Sequence, residues 1–130
     1  MHPIIQLQTA LVAALGADAE LTALIGADGV FDAPPRGRAA PYVVIDRHDL
    51  RPRDGDLAPG FEHRVIFHCW SDRPSRKGAL AIAGRVAAVS AGVAPAGLAV
   101  TLVQIMRTET VIDAQTGQAR AAVLIRFLSE

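Results

Sequence analysis

The chain has 130 residues, the size of one domain, and 51% of them are hydrophobic but only 5% aromatic, so its core must be built from Ala, Val, Leu and Ile. Its 13 Lys and Arg balance 13 Asp and Glu, which argues against a typical nucleic-acid binder, with its basic excess, and favours self-association near neutral pH. A single cysteine, Cys69, excludes an intrachain disulfide and a cysteine metal cage.

A charged segment leading into an apolar run is missing at the N-terminus, and no stretch reaches the roughly 18 apolar residues of a membrane span. The expectation is a domain made in a reducing cytoplasm, with no membrane partner.

In chain order, residues 3 to 15 place Ile4, Leu7, Leu11 and Leu15 on one helical face, with Ile5 and Val12 beside it. Pro3 suits a first turn and Gly16 a stop. Asp18 is placed to cap a second, shorter helix carrying Leu21, Leu24 and Ile25, with Gly26 after it. Asp28 to Pro41 is rich in breakers and holds at most a short extended piece at Val30 and Phe31.

Residues 42 to 48 predict a strand. Leu50 to Gly60, with Arg51, Pro52, Arg53, Asp54, Gly55, Asp56 and Pro59, predicts a long, polar, mobile loop. Residues 61 to 70 form a second strand with Val65, Phe67 and Cys69 on one side. Arg64, Ile66, His68 and Trp70 fall on the other, so both faces carry apolar side chains. Helices cover one face of such a sheet, and a neighbouring subunit is a candidate cover for the second.

A helix follows at about residues 75 to 91, capped by Ser71, Asp72 or Ser75 and ended by Gly92. Its stripe is Leu80, Ala83 and Ala87, widened by Ile82, Val86 and Val89. Residues 98 to 112 and 119 to 128 are strands joined by a hairpin loop at Asp113 to Gly117. Ala121, Val123, Ile125 and Phe127 share one face of the last strand and Arg126 the other. The fold class is α+β: a mixed, mainly antiparallel sheet of about four strands flanked by helices, in the order α-α-β-β-α-β-β, as a single domain over residues 1–130.

Chemistry-bearing motifs are missing. His63 and His68, five apart on a strand, point to opposite faces, so they read as surface or interface histidines and no metal site is assigned. Cys69 is a core filler. Asp46, Asp49, Asp54 and Asp56 interleave with Arg47, Arg51 and Arg53, which reads as a solvated or partner-contacting arm and not a Ca²⁺ loop. Neither a phosphate-binding glycine loop nor a nucleophile elbow occurs, so no catalytic or cofactor residue is assigned. Trp70 is either core or an interface anchor.

Several segments resemble one known family in order along the chain. Pro3-Ile4-Ile5-Gln6-Leu7-Gln8 with Ala13-Ala14-Leu15 resembles the first helix of the tail-completion, or tail terminator, family of long-tailed phages. Gly29 to Pro35 and Pro41 to Ile45 resemble its loop and first strand, Glu62 to Ser71 its second strand and helix cap, and Ala79 to Ala83 its main helix. The Ala, Gly and Arg usage resembles members encoded in gene transfer agents, the phage-like particles of alphaproteobacteria.

The resemblance implies a non-enzymatic protein of a phage-like particle, assembled in the bacterial cytoplasm as a hexameric ring. Such a ring caps the tail tube, stops its polymerisation and presents its other side to the head-closure (stopper) protein. DNA passes through the lumen without specific binding. The expected subunit or partner interface comprises Arg51, Arg53, Asp54, Asp56, Arg64, Ile66, His68 and Trp70, with the Asp113 to Gly117 loop as a further contact. Two alternatives stand beside it: another head–tail connector such as the stopper, or a small ligand-binding or enzymatic α+β domain using His48, His63 or His68.

Overall fold

The structure is a computed structural model that describes residues 1–54 and 59–130. Two helices open the chain, α1 (Pro3–Ala17) and α2 (Ala19–Ile25), bent 81° from one another. At the start of α1 the His2 imidazole accepts the Ile4 N–H at 3.1 Å, and Pro3, which has no N–H to leave unsatisfied, occupies the first turn. Gly16 does not stop the helix, which runs one residue further.

Asp18 makes the corner between the two helices. Its carboxylate accepts the Leu21 N–H at 2.9 Å, capping α2, and takes both the Nε and Nη2 donors of Arg85 at 2.7 Å. The Arg85 hydrogen bond, helped by the Leu21 N–H, holds the Asp18 carboxyl down at about 2. Gly26 supplies the positive φ of 89° that lets the chain leave α2.

The strands are β1 (Val30–Phe31), β2 (Tyr42–Asp54), β3 (Pro59–Trp70), β4 (Val100–Ile112) and β5 (Ala119–Ser129). They form one sheet in the order β1-β2-β3-β5-β4, in which β1 runs parallel to β2 and all other neighbours are antiparallel. The short extended piece at Val30 and Phe31 is thus a fifth strand. The long helix α3 (Arg76–Ser90) crosses between β3 and β4, capped by the Ser75 hydroxyl on the Gly78 N–H at 3.1 Å.

Two expectations are corrected. Leu50 to Gly60 is not a long loop: β2 continues through Asp54 and β3 begins at Pro59, pairing Arg51 with Glu62 and Arg53 with Gly60. β1 pairs only at Val43 and Val44, so the rest of β2 is an edge strand, where a proline's missing N–H has an open side to face. The part of that loop formed by residues 55–58, including Asp56, lies outside the described residues.

The stripe of α3 is also displaced. Ala79, Ile82, Ala83, Val86 and Ser90 are buried, whereas Leu80 is exposed. Small alanines at the contact let the helix lie close to the sheet.

All three helices contribute to one core. Leu7, Leu11 and Leu15 of α1 meet Val43, Ile45, Val65, Phe67, Cys69, Ala121, Val123, Ile125 and Phe127 of the sheet. Because Leu11 is fully buried, Leu11→Ala removes its packing and leaves a cavity. Urea unfolding of this variant should show a loss of about 2–5 kcal/mol, whereas Ile5→Ala, on the exposed side of the same helix, should change stability by less than about 1 kcal/mol.

Candidate functional site

Among the described residues, no element lies over the sheet face away from the helices, and its side chains follow from the strand register. Across β2, β3, β5 and β4 the aligned rows are Arg51–Glu62–Leu128–Leu102, Asp49–Arg64–Arg126–Gln104 and Arg47–Ile66–Leu124–Arg107. Beyond them lie Val44–His68–Ala122–Glu109 and Tyr42–Trp70–Arg120–Val111. Ile66 and Leu124 form the apolar middle. Two shallow hollows of about 80 and 190 Å3 share them, one edged by Arg107 and Glu109, the other by Arg47, Asp49 and Arg64.

Around this centre charges of opposite sign are interleaved. Glu62 accepts from Arg64 at 2.9 Å and from Arg126 at 3.0 Å, and these two guanidinium groups hold its carboxyl below the usual range. Arg47 reaches Asp49 at 3.2 Å, while Glu109 takes Arg107 at 2.6 Å and Arg120 at 3.6 Å. Such exposed pairs contribute only about 0–1 kcal/mol each to stability, but they order long side chains and give the face a definite charge pattern.

Arg120 also lies 6.0 Å from the centre of the Trp70 ring, within cation–π range. His68 sits 3.6 Å from Asp46, and burial keeps it below its ordinary pKa, so it is neutral at neutral pH.

Of the residues singled out by sequence, Arg64, Ile66, His68 and Trp70 therefore share one face, with Arg51 in the next row. Arg53 lies at the hairpin end, 4.0 Å from Glu130. Asp54 pairs with Pro59. Glu62, Leu124, Arg126, Arg107, Glu109 and Arg120 complete the surface. Only Arg126 carried an outward assignment from the alternation of β5, because which strands lie beside β3 is not visible in a linear pattern.

His63 is corrected: it is not on the surface but fully buried. Its Nε2 lies 2.9 Å from the Ser129 hydroxyl, its Nδ1 2.9 Å from His48 Nε2, and His48 Nδ1 3.2 Å from the Gln8 amide. One direction of donation satisfies the whole chain: Gln8 donates to His48, His48 to His63 and His63 to Ser129, each imidazole neutral and protonated on Nε2. His63 and Ser129 are buried, whereas Gln8 and His48 at the other end of this hydrogen-bonded chain are half-buried. The role of the set is to seat α1 on β2, β3 and β5. Cys69 is buried too, and burial pushes its thiol up to about 12. Among the described residues, no group of three or more His, Cys, Asp and Glu is arranged to hold a metal ion.

A family model described as tail completion protein gp17 matches residues 9–130. The chain belongs to that family. Among solved structures it is similar to a chain in the virion of a native gene transfer agent particle, with 25% identity and a TM-score of 0.85, covering 98% of this chain and 96% of that one. No curated protein matches it. Family membership places the chain among phage-tail structural proteins.

The buried histidines give this tail completion protein a specific pH response. Burial pushes His48 and His63 down to about 4, with the neighbouring imidazoles adding to it. Above pH 6.5 both are neutral folded or unfolded, and stability is at its full value. Between about pH 6.5 and 4 the unfolded chain takes up protons that the folded chain refuses, so stability falls as pH falls. Urea midpoints measured from pH 8 to pH 4 should drop across that window, and His48→Gln should flatten the drop.

Proposed function

We propose that this protein is the tail terminator of a phage-like particle, forming a hexameric ring on the end of the tail tube. The ring occupies the surface to which a further tube ring would add, and its opposite side receives the head-closure stopper. DNA passes through the lumen without specific binding. The single observation that carries a contact function is the bare sheet face: an apolar middle at Ile66 and Leu124, ringed by arginines, carboxylates and Trp70. Protein interfaces are built in this way, with an apolar centre, a polar rim and enrichment in Trp and Arg. The family match and the likeness to a chain of a gene transfer agent virion support placing that surface in a tail.

The mechanism is geometric and has no chemical step. A subunit ring with two unlike sides lets one side match the tube end and the other not, so polymerisation stops where it binds. Four arginines of the bare face are ion-paired with Asp49, Glu62 and Glu109, and Arg51 and Arg120 bring its arginines to six, so the face suits a partner surface that supplies further carboxylates.

Deleting the gene should yield particles with overlong or detached tails by electron microscopy. Normal tails of normal length on filled heads would rule the reading out. An Arg64→Ala and Trp70→Ala double variant should stay folded yet join particles poorly, since truncating an anchor at an interface costs about 2 kcal/mol or more per contact, and a closed ring repeats that loss at every junction.

A further inference from the structure

On the bare face β5 presents Arg126, Leu124, Ala122 and Arg120 in turn, so two arginines bracket an apolar stretch. Among the described residues neither arginine has a carboxylate to itself. Arg126 shares Glu62 with Arg64, at 3.0 and 2.9 Å, and Arg120 shares Glu109 with Arg107, at 3.6 and 2.6 Å. Each end of the stretch is thus a pair of guanidinium groups on one carboxylate, and each pair carries an unbalanced positive charge. Across the described face six arginines meet four carboxylates, counting Asp46 through its contact with His68, although the chain as a whole is neutral.

Between the two ends the surface is apolar and dented. Ala122, Leu124 and Ile66 line the hollow of about 80 Å3, and Leu124 and Ile66 the hollow of about 190 Å3. Both fall below the roughly 300–1,000 Å3 of clefts that enclose small molecules, but each has room for the tip of an apolar side chain. Positive charge alone would also suit a nucleic acid. The apolar stretch decides against it, because a phosphate backbone brings nothing to cover Leu124 and Ile66, and the carboxylates of the face repel it. A protein surface supplies both parts: carboxylates that take guanidinium groups in planar contacts and apolar side chains that fill the hollows.

We propose that the bare face receives a protein surface bearing an apolar strip with a carboxylate at each end, one seated on Arg64 and Arg126, the other on Arg107 and Arg120. Arg126 and Arg120 are six residues apart on β5, so the two carboxylates stand roughly 20 Å apart at about 3.3 Å per strand residue. Glu62 and Glu109 keep their present bonds, because each guanidinium has five N–H donors and each pair is short of acceptors. That the partner is a neighbour in the particle rests on the terminator reading, and the face adds the chemistry by which this neighbour is recognised.

Trp70 is the chain's one tryptophan and lies on this face, 6.0 Å from Arg120, so its fluorescence reports occupation without a label. The purified full-length protein is titrated with a peptide that has glutamates at its second and eighth positions, leucines at its fourth and sixth, and serines elsewhere. A saturable change in Trp70 emission is expected, weakening as salt is raised. The same peptide with lysines for the glutamates, or with serines for the leucines, should bind at least about tenfold more weakly, as should the glutamate peptide to Arg126→Gln or Arg120→Gln. Arg76→Gln, at an exposed position of α3, should bind as the unsubstituted protein does, with circular dichroism showing every variant folded. No saturable change, or equal binding of the lysine peptide, overturns the proposal. A DNA duplex of about 20 base pairs that binds more tightly than the glutamate peptide overturns it too and assigns the face to nucleic acid. Each of these results leaves the terminator reading to its own test, the tails of particles made without the gene.

Discussion

A β-sheet has two faces, and among the described residues helices cover one of them. Everything on the inner side follows from that asymmetry: the leucines of α1, the alanines of α3 and the valines, phenylalanines and Cys69 of the central strands close a single core. On the outer side the same strands must remain acceptable to water while carrying Ile66, Leu124 and Trp70. They do so by surrounding these groups with ion-paired arginines and carboxylates. Such a face is tolerable alone and improved by a partner. That is the physical condition of a subunit whose work is assembly.

The device that makes the two faces so different is small. Val43 and Ile45 point inward along β2, and strict alternation would send residue 47 inward as well. The bulge at Asp46 turns Arg47 outward and His48 inward. Arg47 thereby joins the charged rim, and His48 reaches His63, Gln8 and, through His63, Ser129. One inserted residue thus supplies the outer face with a cation and ties the N-terminal helix to the C-terminal strand. A buried polar chain of this kind is stabilising only when every member is satisfied, and it is satisfied here with both imidazoles neutral.

Much of this was legible in the sequence, and what was not has identifiable causes. The inward and outward sets of β3 and the inward set of β5 follow from alternation over strands without irregularity. The caps at Asp18 and Ser75 follow from side-chain chemistry that needs no tertiary context. The end of β2 was hidden because Pro52, Arg53 and Asp54 have turn chemistry, and only the edge position of that strand makes them compatible with a ladder. Leu80 was misplaced because a stripe of alanines and valines reads equally well one residue over. Close packing on the sheet selects Ala79 and Ala83 instead. The His48–His63 contact was out of reach because an inserted residue in a strand leaves no mark in the pattern of residue types. The outer face was half visible, as a list of residues on β3, and became a surface only when β5 and β4 were known to lie beside it.

The central claim is that the face bearing Ile66, Leu124, Arg64 and Trp70 exists to be covered. A cryo-electron microscopy reconstruction of the intact particle, at a resolution that traces this chain at the end of the tail tube, tests it most directly. The account predicts a ring of copies at the junction of tube and head. In that ring, Ile66 and Leu124 would be shielded by a neighbouring subunit or by the adjoining ring. A reconstruction in which this face looks into bulk solvent, on the exterior of the particle or in the channel, would contradict it.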